Sequence, residues 1–332
     1  MLPLDIQNVI CLFFYDLKDT INLYNLSRDH QNNIRITNLF HIPQKYLIRL
    51  TQKVIEQNKY SYIEKLYADD NNKINNVNHM KKTLKILECG WDCKIDQEGI
   101  SQLNLVKLYA NFNNKINNLN HMTETLKILD CSGNSGIDQK GISQLNLIKL
   151  NTQNNKKIKN INHMKETLKI LDCSDDCGID QEGISQLNLI KLNAGQNEKI
   201  KCVNHMKETL KILDCRGDSG IDQEGISQLN LIKLYASYNS QIKNVNHMKE
   251  TLKILNCSET CGIDQEAILQ LNLVKLYASS NNKINNLNHM KGTLKKLYCC
   301  GGNCGIDQNG ISQLNLIALY ASNNDKIHNV KI

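Results

Sequence analysis

Apolar and polar positions recur in a fixed order over residues 63–332 of this chain, following L-x-x-L-x-[C/A]-x-x-[N/D]-x-x-I. Two forms of the order alternate. The Cys unit runs Leu84, Leu87, Cys89, Asp92, Ile95, Ile100, Leu103. The Asn unit runs Leu105, Leu108, Ala110, Asn113, Ile116, Leu119, Met122. The tripeptide N-H-M marks each pair of units, with His79, His121, His163, His205, His247 and His289 standing 42 residues apart. Thirteen units follow from Ile63, and the last Cys unit is one residue longer, between Leu294 and Ile306. Two apolar residues spaced by two predict a short strand that turns both to one face and its intervening residues to the other. Self-similarity at so short a period predicts a solenoid, in which each unit buries its apolar side against its neighbours.

The polar position after the strand is where the chain must turn. Asn occupies it in all seven Asn units, at Asn71, Asn113, Asn155, Asn197, Asn239, Asn281 and Asn324. Stacked Asn side chains are expected to bond backbone groups of adjacent turns that burial would otherwise leave unpaired. In the Cys units Asp92, Asn134, Asp176, Asp218 and Thr260 hold the equivalent place, which predicts a looser ladder of the same kind. Asp96 and its copies stand where an N-cap would, ahead of a short turn burying Ile100 and Leu103. The Asn units lack that segment, and irregular or 3₁₀ structure is expected there.

These residues resemble the leucine-rich repeat family, whose pattern is L-x-x-L-x-L-x-x-[N/C]-x-L. The segment I-D-Q-E-G-I-S-Q-L from Ile95 resembles the I-T-D-x-G-L stretch of the cysteine-containing subfamily. The resemblance implies an α/β leucine-rich repeat solenoid, a curved parallel sheet with a small helical domain ahead of it. Thirteen strands at the usual spacing would stack over about 60 Å. Near-perfect repetition, two prolines and abundant Asn, Ile and Lys also resemble the repeat proteins of amoebae and of the large DNA viruses that infect them.

Residues 1–60 lack the repeat and are expected to form a separate helical domain ahead of the solenoid at 63–332. Two helices are expected before residue 30, and a third over Pro43–Gln57, where Tyr46, Leu47, Leu50, Val54 and Ile55 form one stripe. The order L-P-x-D-I-x-x-x-I followed by D-L-K-D resembles an F-box, the domain that docks on the Skp adaptor of cullin-based ubiquitin ligases. Leu2, Pro3, Asp5, Ile6 and Ile10 sit on that motif, while Thr20 and His30 stand where the family carries Leu and Trp. The resemblance implies a Skp-family adaptor as partner and a substrate-receptor function. The alternative is a free-standing repeat scaffold whose amino-terminal helices only cap the apolar end of the solenoid.

Composition narrows the function classes. The chain begins without the basic segment of a signal peptide, and no apolar run reaches the roughly 18 residues of a membrane span. The thirteen cysteines are mostly periodic, and Cys89, Cys131, Cys173, Cys215, Cys257 and Cys299 fall on the inward strand position. Small buried thiols in a reducing cytoplasm or nucleus (the host's, for a viral protein) are therefore expected. The net charge is +7, but acids and bases are interspersed, which argues against nucleic acid as the partner. No metal or other cofactor is expected. Histidines two units apart stand about 10 Å from one another, too far to share an ion. The pairs Cys89/Cys93, Cys173/Cys177, Cys257/Cys261 and Cys299/Cys304 do not converge in fours. No nucleophile motif or phosphate loop occurs, so an enzyme is not expected.

The candidate site is the concave strand face, read as the surface that binds a protein target. Tyr67, Trp91, Lys107, Tyr109 and Phe112 would lie toward its amino end, with Lys149, Lys191, Lys233, Tyr235 and Tyr277 further along. Lys in one strand is expected to pair with Asp in the next, and rows of Ile such as Ile86 and Ile128 to be exposed.

Overall fold

The computed structural model describes residues 36–39 and 50–328. Leu2, Pro3, Asp5, Ile6 and Ile10 lie outside the described residues. The chain divides into two compact units, residues 1–158 and 159–332. The first holds strands β1 (Asn38–Leu39), β2 (Lys65–Tyr67), β3 (Ile86–Glu88), β4 (Lys107–Tyr109), β5 (Ile128–Asp130) and β6 (Lys149–Asn151). The second holds β7 (Ile170–Asp172), β8 (Lys191–Asn193), β9 (Ile212–Asp214), β10 (Lys233–Tyr235), β11 (Ile254–Asn256), β12 (Lys275–Tyr277), β13 (Lys296–Tyr298) and β14 (Ala318–Tyr320). Within each unit every strand pairs in parallel with its chain neighbour, in register, as Leu87 with Leu108 and Leu234 with Leu255.

The middle residue of the strand points inward. Leu87, Leu108, Leu192 and Leu276 are fully buried, and so are Cys89, Ala110 and Cys257, which follow at the next inward position. Among the described residues, each repeat up to Asn309–Ile311 then crosses back through a single 3₁₀ turn. The Cys units place it at Glu98–Ile100 and its equivalents, and the Asn units at Asn78–Met80 and theirs. The Asp96 carboxylate accepts from the Gly99 amide at 2.9 Å, as the N-cap reading expects. Asp138, Asp180, Asp222, Asp264 and Asp307 repeat the bond. Gln97 joins adjacent turns: its Oε1 accepts from the Asn117 and Asn118 amides and its Nε2 donates to the Asn118 carbonyl. Only glycine fits at 99, because a Cβ there would stand 2.1 Å from the Asn75 carbonyl oxygen. Regular repeats of this kind on a parallel sheet make the fold a leucine-rich repeat solenoid.

The Asn ladder forms as expected. The Asn113 amide donates to the Cys89 carbonyl at 2.7 Å and to the Ile95 carbonyl at 3.0 Å, and its oxygen accepts from the Lys115 amide at 2.9 Å. Asn155, Asn197, Asn239, Asn281 and Asn324 repeat both donations. The looser ladder expected in the Cys units does not form. Asp92, Asn134, Asp176, Asp218 and Thr260 are exposed, and the inward place falls one residue later, on Cys93, Ser135, Cys177, Ser219 and Cys261. The physical reason lies in the neighbour. Each Asn already satisfies two carbonyls of the Cys-unit turn, and in several pairs a lysine satisfies a third, as Lys115 Nζ does for Cys93. The Cys unit therefore needs no polar side chain of its own, and a thiol or hydroxyl fits the space. The extra residue of the last Cys unit is absorbed in its turn, since Leu297 still faces Leu319.

Part of the segment expected to lie outside the repeat takes repeat-like geometry. Strand β1 pairs with β2, Asn38 opposite Lys65. Of the helix expected over Pro43–Gln57, the described part is helical only at α1 (Gln52–Ile55), followed by a 3₁₀ turn at Asn58–Tyr60. Gln52 makes the bonds that Gln97 makes later, accepting from the Asn75 and Asn76 amides and donating to the Asn76 carbonyl. Asn71 donates to the Leu50 carbonyl at 3.1 Å. The helical stripe read from Leu50, Val54 and Ile55 thus packs a short turn and its flank against the first full repeat.

Candidate functional site

The first and third residues of each strand face away from the core, and the register sets what adjoins what. In the first unit the third positions run Tyr67, Glu88, Tyr109, Asp130, Asn151 from strand to strand. The first positions run Lys65, Ile86, Lys107, Ile128, Lys149. Lys therefore faces Ile across the sheet, and the carboxylates face Tyr or Asn. The Lys–Asp pairing expected from the sequence is displaced by two positions. Asp130 instead accepts from the Asn151 amide group at 2.9 Å and from the Ser132 hydroxyl at 2.7 Å. The Ile rows are half-buried rather than exposed. The exposed aliphatic column is the residue before the Asn-unit strand: Val106 and Ile148 in the first unit, and Ile190, Ile232, Val274 and Ile317 in the second. That column was missed because two outward residues separate Leu105 from Leu108, so strict alternation fails one step before the strand.

A second column follows each strand. Its residues have positive φ in both units: Asp70, Trp91, Phe112, Gly133 and Asn154 in the first, Asp175, Gln196, Gly217, Tyr238, Glu259, Ser280, Gly301 and Asn323 in the second. Gly, Asn and Asp enter this left-handed region at little cost, but a bulky aromatic residue there is an outlier that invites a functional reading. Trp91, Phe112 and Tyr238 are such outliers, at φ 52°, 59° and 61°. All three rings are exposed. Trp91 and Phe112 stack with centroids 4.4 Å apart and an interplanar angle of 20°. Gly133 lies against the far face of Phe112, where a Cβ would come within 2.5 Å of the ring.

The four aromatic residues expected together at the amino end thus divide into two layers. Tyr67 and Tyr109 lie on the strands with Glu88 between them, and Trp91 and Phe112 on the turns three residues further along the chain. Acid groups gather beside them. Burial, with Asp69 and Asp130 nearby, pushes the Glu88 carboxyl up to about 7. Burial and the charge of Asp70 push Asp69 up to about 6, although the Gly90 amide donates to it. Tyr67 and Tyr109 are raised as well, first by burial and then by these carboxylates.

In the second unit, Lys191 is exposed and Lys233 half-buried. Tyr235 is separated by Asn256 from a run of three rings. Tyr277, Tyr298 and Tyr320 stack at 4.4 and 4.3 Å, and the Lys275 ammonium stands 4.5 Å from the Tyr277 centroid and 4.9 Å from that of Tyr298.

Among the described residues, the N-H-M histidines bond to backbone and the strand cysteines are buried. The Nε2 atoms of His79, His121, His205, His247 and His289 each lie 3.1–3.3 Å from a carbonyl oxygen of the preceding turn, such as Ile100 for His121. Burial drives the Cys89, Cys173, Cys215 and Cys257 thiols well up and pushes Cys93 up to about 12, so they stay protonated. Cys304 differs. Its thiol donates to the Ala278 carbonyl at 3.5 Å, and the neighbouring Cys299 lowers it while Cys299 itself is raised. Among the described residues no helix is long and apolar enough to cross a membrane.

No protein-family model matches the sequence, and no curated protein matches it. Among solved structures, the chain is similar to the functional domain of InlJ from Listeria monocytogenes, which includes a cysteine ladder, at 22% identity and TM-score 0.48 over 77% of this chain and 62% of that one. It thus spans about three-fifths of that domain. It is similar to TLR13 from a complex with ssRNA13, at 17% identity and TM-score 0.41 over 87% of this chain and 46% of that one. It is similar also to a chain of the yeast Rad7–Elc1 complex, at 14% identity and TM-score 0.41 over 90% of this chain and 92% of that one.

Proposed function

We propose that this protein is a non-catalytic recognition module that holds a protein target on the outward strand face of its repeats, as the substrate receptor of a Skp–cullin–F-box ubiquitin ligase in the cytoplasm or nucleus. The observation that carries the recognition reading is the placement of half-buried tyrosines on that face, beside Glu88 in the first unit and Lys275 in the second, with the exposed Trp91 and Phe112 rings on the adjoining turns. Tyr and Trp anchor interfaces because they bury much area with few rotatable bonds. Keeping Trp91 and Phe112 in a strained backbone region, where the flanking repeats use Asp70, Gly133 and Asn154, is a cost that packing does not require. The receptor reading rests on Leu2, Pro3, Asp5, Ile6 and Ile10, which follow the F-box order and would dock on a Skp-family adaptor.

A second reading has its own support. Strand β1 and helix α1 clamp the first repeat with the same bonds that join later repeats, which is what a cap does. The two readings differ over residues 1–40. Full-length protein and protein lacking residues 1–40 should each be mixed with a purified Skp-family adaptor. Retention of the adaptor by the full-length protein alone is expected. Equal retention by both, or none at micromolar concentration, would leave the cap reading in place. The recognition reading is tested separately, by photo-crosslinking residues substituted for Tyr109 and Tyr277. Crosslinks to a bound target from these positions support it, and crosslinks only from exposed turn residues such as Lys81 overturn it.

A further inference from the structure

The inference rests on the strand face being a protein-binding surface, and it names what one part of that surface takes. Tyr67, Glu88 and Tyr109 are register neighbours on β2, β3 and β4. At the usual strand spacing of about 4.8 Å, the Glu88 carboxylate sits between two aromatic side chains. Asp130 extends the row on β5, and the stacked Trp91–Phe112 pair stands on the turns beyond. Aromatic faces attract cations through the negative charge over the ring, and a half-buried carboxylate adds Coulomb attraction that water screens less. The other acids are already engaged: Asp130 by Asn151 and Ser132, Asp69 by the Gly90 amide. The nearest cations on the face, Lys65 and Lys107, lie two positions back along their strands, opposite Ile86. Among the described residues neither is ion-paired to Glu88. Exposed rings could also stack on nucleobases, but this row of carboxylates would repel the phosphates that accompany them.

We propose that the Tyr67–Glu88–Tyr109–Asp130 row, with the Trp91–Phe112 pair, captures a lysine or arginine side chain of an extended segment in the partner protein, with Glu88 pairing the cation. The elevation of Glu88 agrees with a carboxylate awaiting a counter-charge, since burial and like charges both disfavour its ionised form. The whole chain carries +7, so a cationic ligand gains nothing from net charge, and its attraction must come from this patch.

Trp91 is the only tryptophan of the chain, so its fluorescence reports directly on the patch. The intact protein should be titrated at low ionic strength and pH 8 with a short synthetic peptide of alternating lysine and serine. The same peptide with acetylated lysines serves as the uncharged control. A saturable change is expected with the first and none with the second. Glu88→Gln should weaken binding about tenfold. Phe112→Asn, which suits the positive φ and removes the stacked ring, should weaken it as well. Glu124→Gln, an exposed acid outside the row, should leave it unchanged. Affinity of the unmodified protein should fall as the pH drops from 8 to 6 and Glu88 takes up a proton. The proposal is overturned by equal response to both peptides, by full affinity in Glu88→Gln, or by saturable binding of single-stranded RNA in place of the lysine peptide. If the peptide does not bind while crosslinks from Tyr109 or Tyr277 persist, this proposal falls and the broader reading stands.

Discussion

At the scale of single residues, the repeat serves as its own control, because each position is sampled many times in nearly the same surroundings. Ala267 replaces the turn glycine found at 99, 141, 183, 225 and 310. The glycine copies let the carbonyl of that residue accept from an amide of the preceding Asn unit, as Gly225 does from Val203 at 3.0 Å. Among the described residues the corresponding bond between Val245 and Ala267 is missing. The Asn246 side-chain oxygen is buried without a partner, whereas its copy Asn204 accepts from the Gln228 amide at 3.0 Å. Two changes coincide in this copy, Ala267 for Gly and Leu269 for Ser; the added methyl accounts for the backbone bond, because a Cβ at the equivalent Gly225 would stand 2.1 Å from the Lys201 carbonyl oxygen. Ala267→Gly is therefore expected to stabilise the fold by about 1 kcal/mol, two recovered bonds against the greater backbone entropy of glycine. Urea unfolding checks this, and a loss of stability would show that the turns separate for another reason. A second comparison separates residues the sequence pattern treats alike. Asn113→Ala leaves two carbonyls and an amide unpaired in the core and should cost about 3 kcal/mol. Asn134→Ala, at the exposed equivalent, should stay within about 0.5 kcal/mol. Equal effects would mean that the Cys units do carry a ladder of their own.

At the scale of elements, strands were the most legible part of the sequence. An inward Leu followed two residues later by Cys or Ala leaves no other face for the strand to bury. The Asn column was legible for the same reason, as a polar residue repeated without exception where the chain must turn. The turn of the Cys unit was not. Its template aligns Asp92 with Asn113, yet the inward side chain arrives one residue later, and the mix of Cys and Ser at that later position gives no consistent polar signal. The left-handed column escaped notice too, because Trp, Phe, Gln and Tyr are not the residues that announce a positive φ. Trp91 tests what that column costs. Placing Asn there removes backbone strain of about 1–3 kcal/mol and a ring stack of about 0.5–1.5 kcal/mol. The two nearly cancel, so Trp91→Asn should leave the melting temperature within a few degrees of wild type while weakening lysine-peptide binding measured by calorimetry. A large drop in melting temperature would instead make Trp91 a packing residue.

At the scale of the whole molecule, two compact units carry oppositely signed titrations. In the first, Glu88 and Asp69 are raised to about 7 and about 6. A raised carboxyl binds its proton more tightly when folded. Its contribution to stability is complete below the unfolded value and disappears as the pH rises through the folded one. The groups around Glu88 are Asp69, Asp130, Tyr67 and Tyr109, with Lys65 and Lys107 further along the face. None of these acids gains a cation that would reverse the sign. In the second unit, burial lowers His205, His247 and His289, against the opposing effect of their bonds to backbone carbonyls. A lowered histidine is held neutral by the fold, so stability is lost as the pH falls from the ordinary histidine value through the depressed one. Acidification from pH 7.5 to 5.5 should therefore firm the first unit and loosen the second. Amide hydrogen exchange, corrected for the intrinsic pH dependence of exchange, resolves this directly. Protection around Leu87 and Leu108 should rise, and protection around Met206 and Met248, beside the histidines, should fall. Glu88→Gln should flatten the first trend and leave the second untouched. Parallel changes in both units would mean that they unfold together, and that neither set of buried groups sets the local balance.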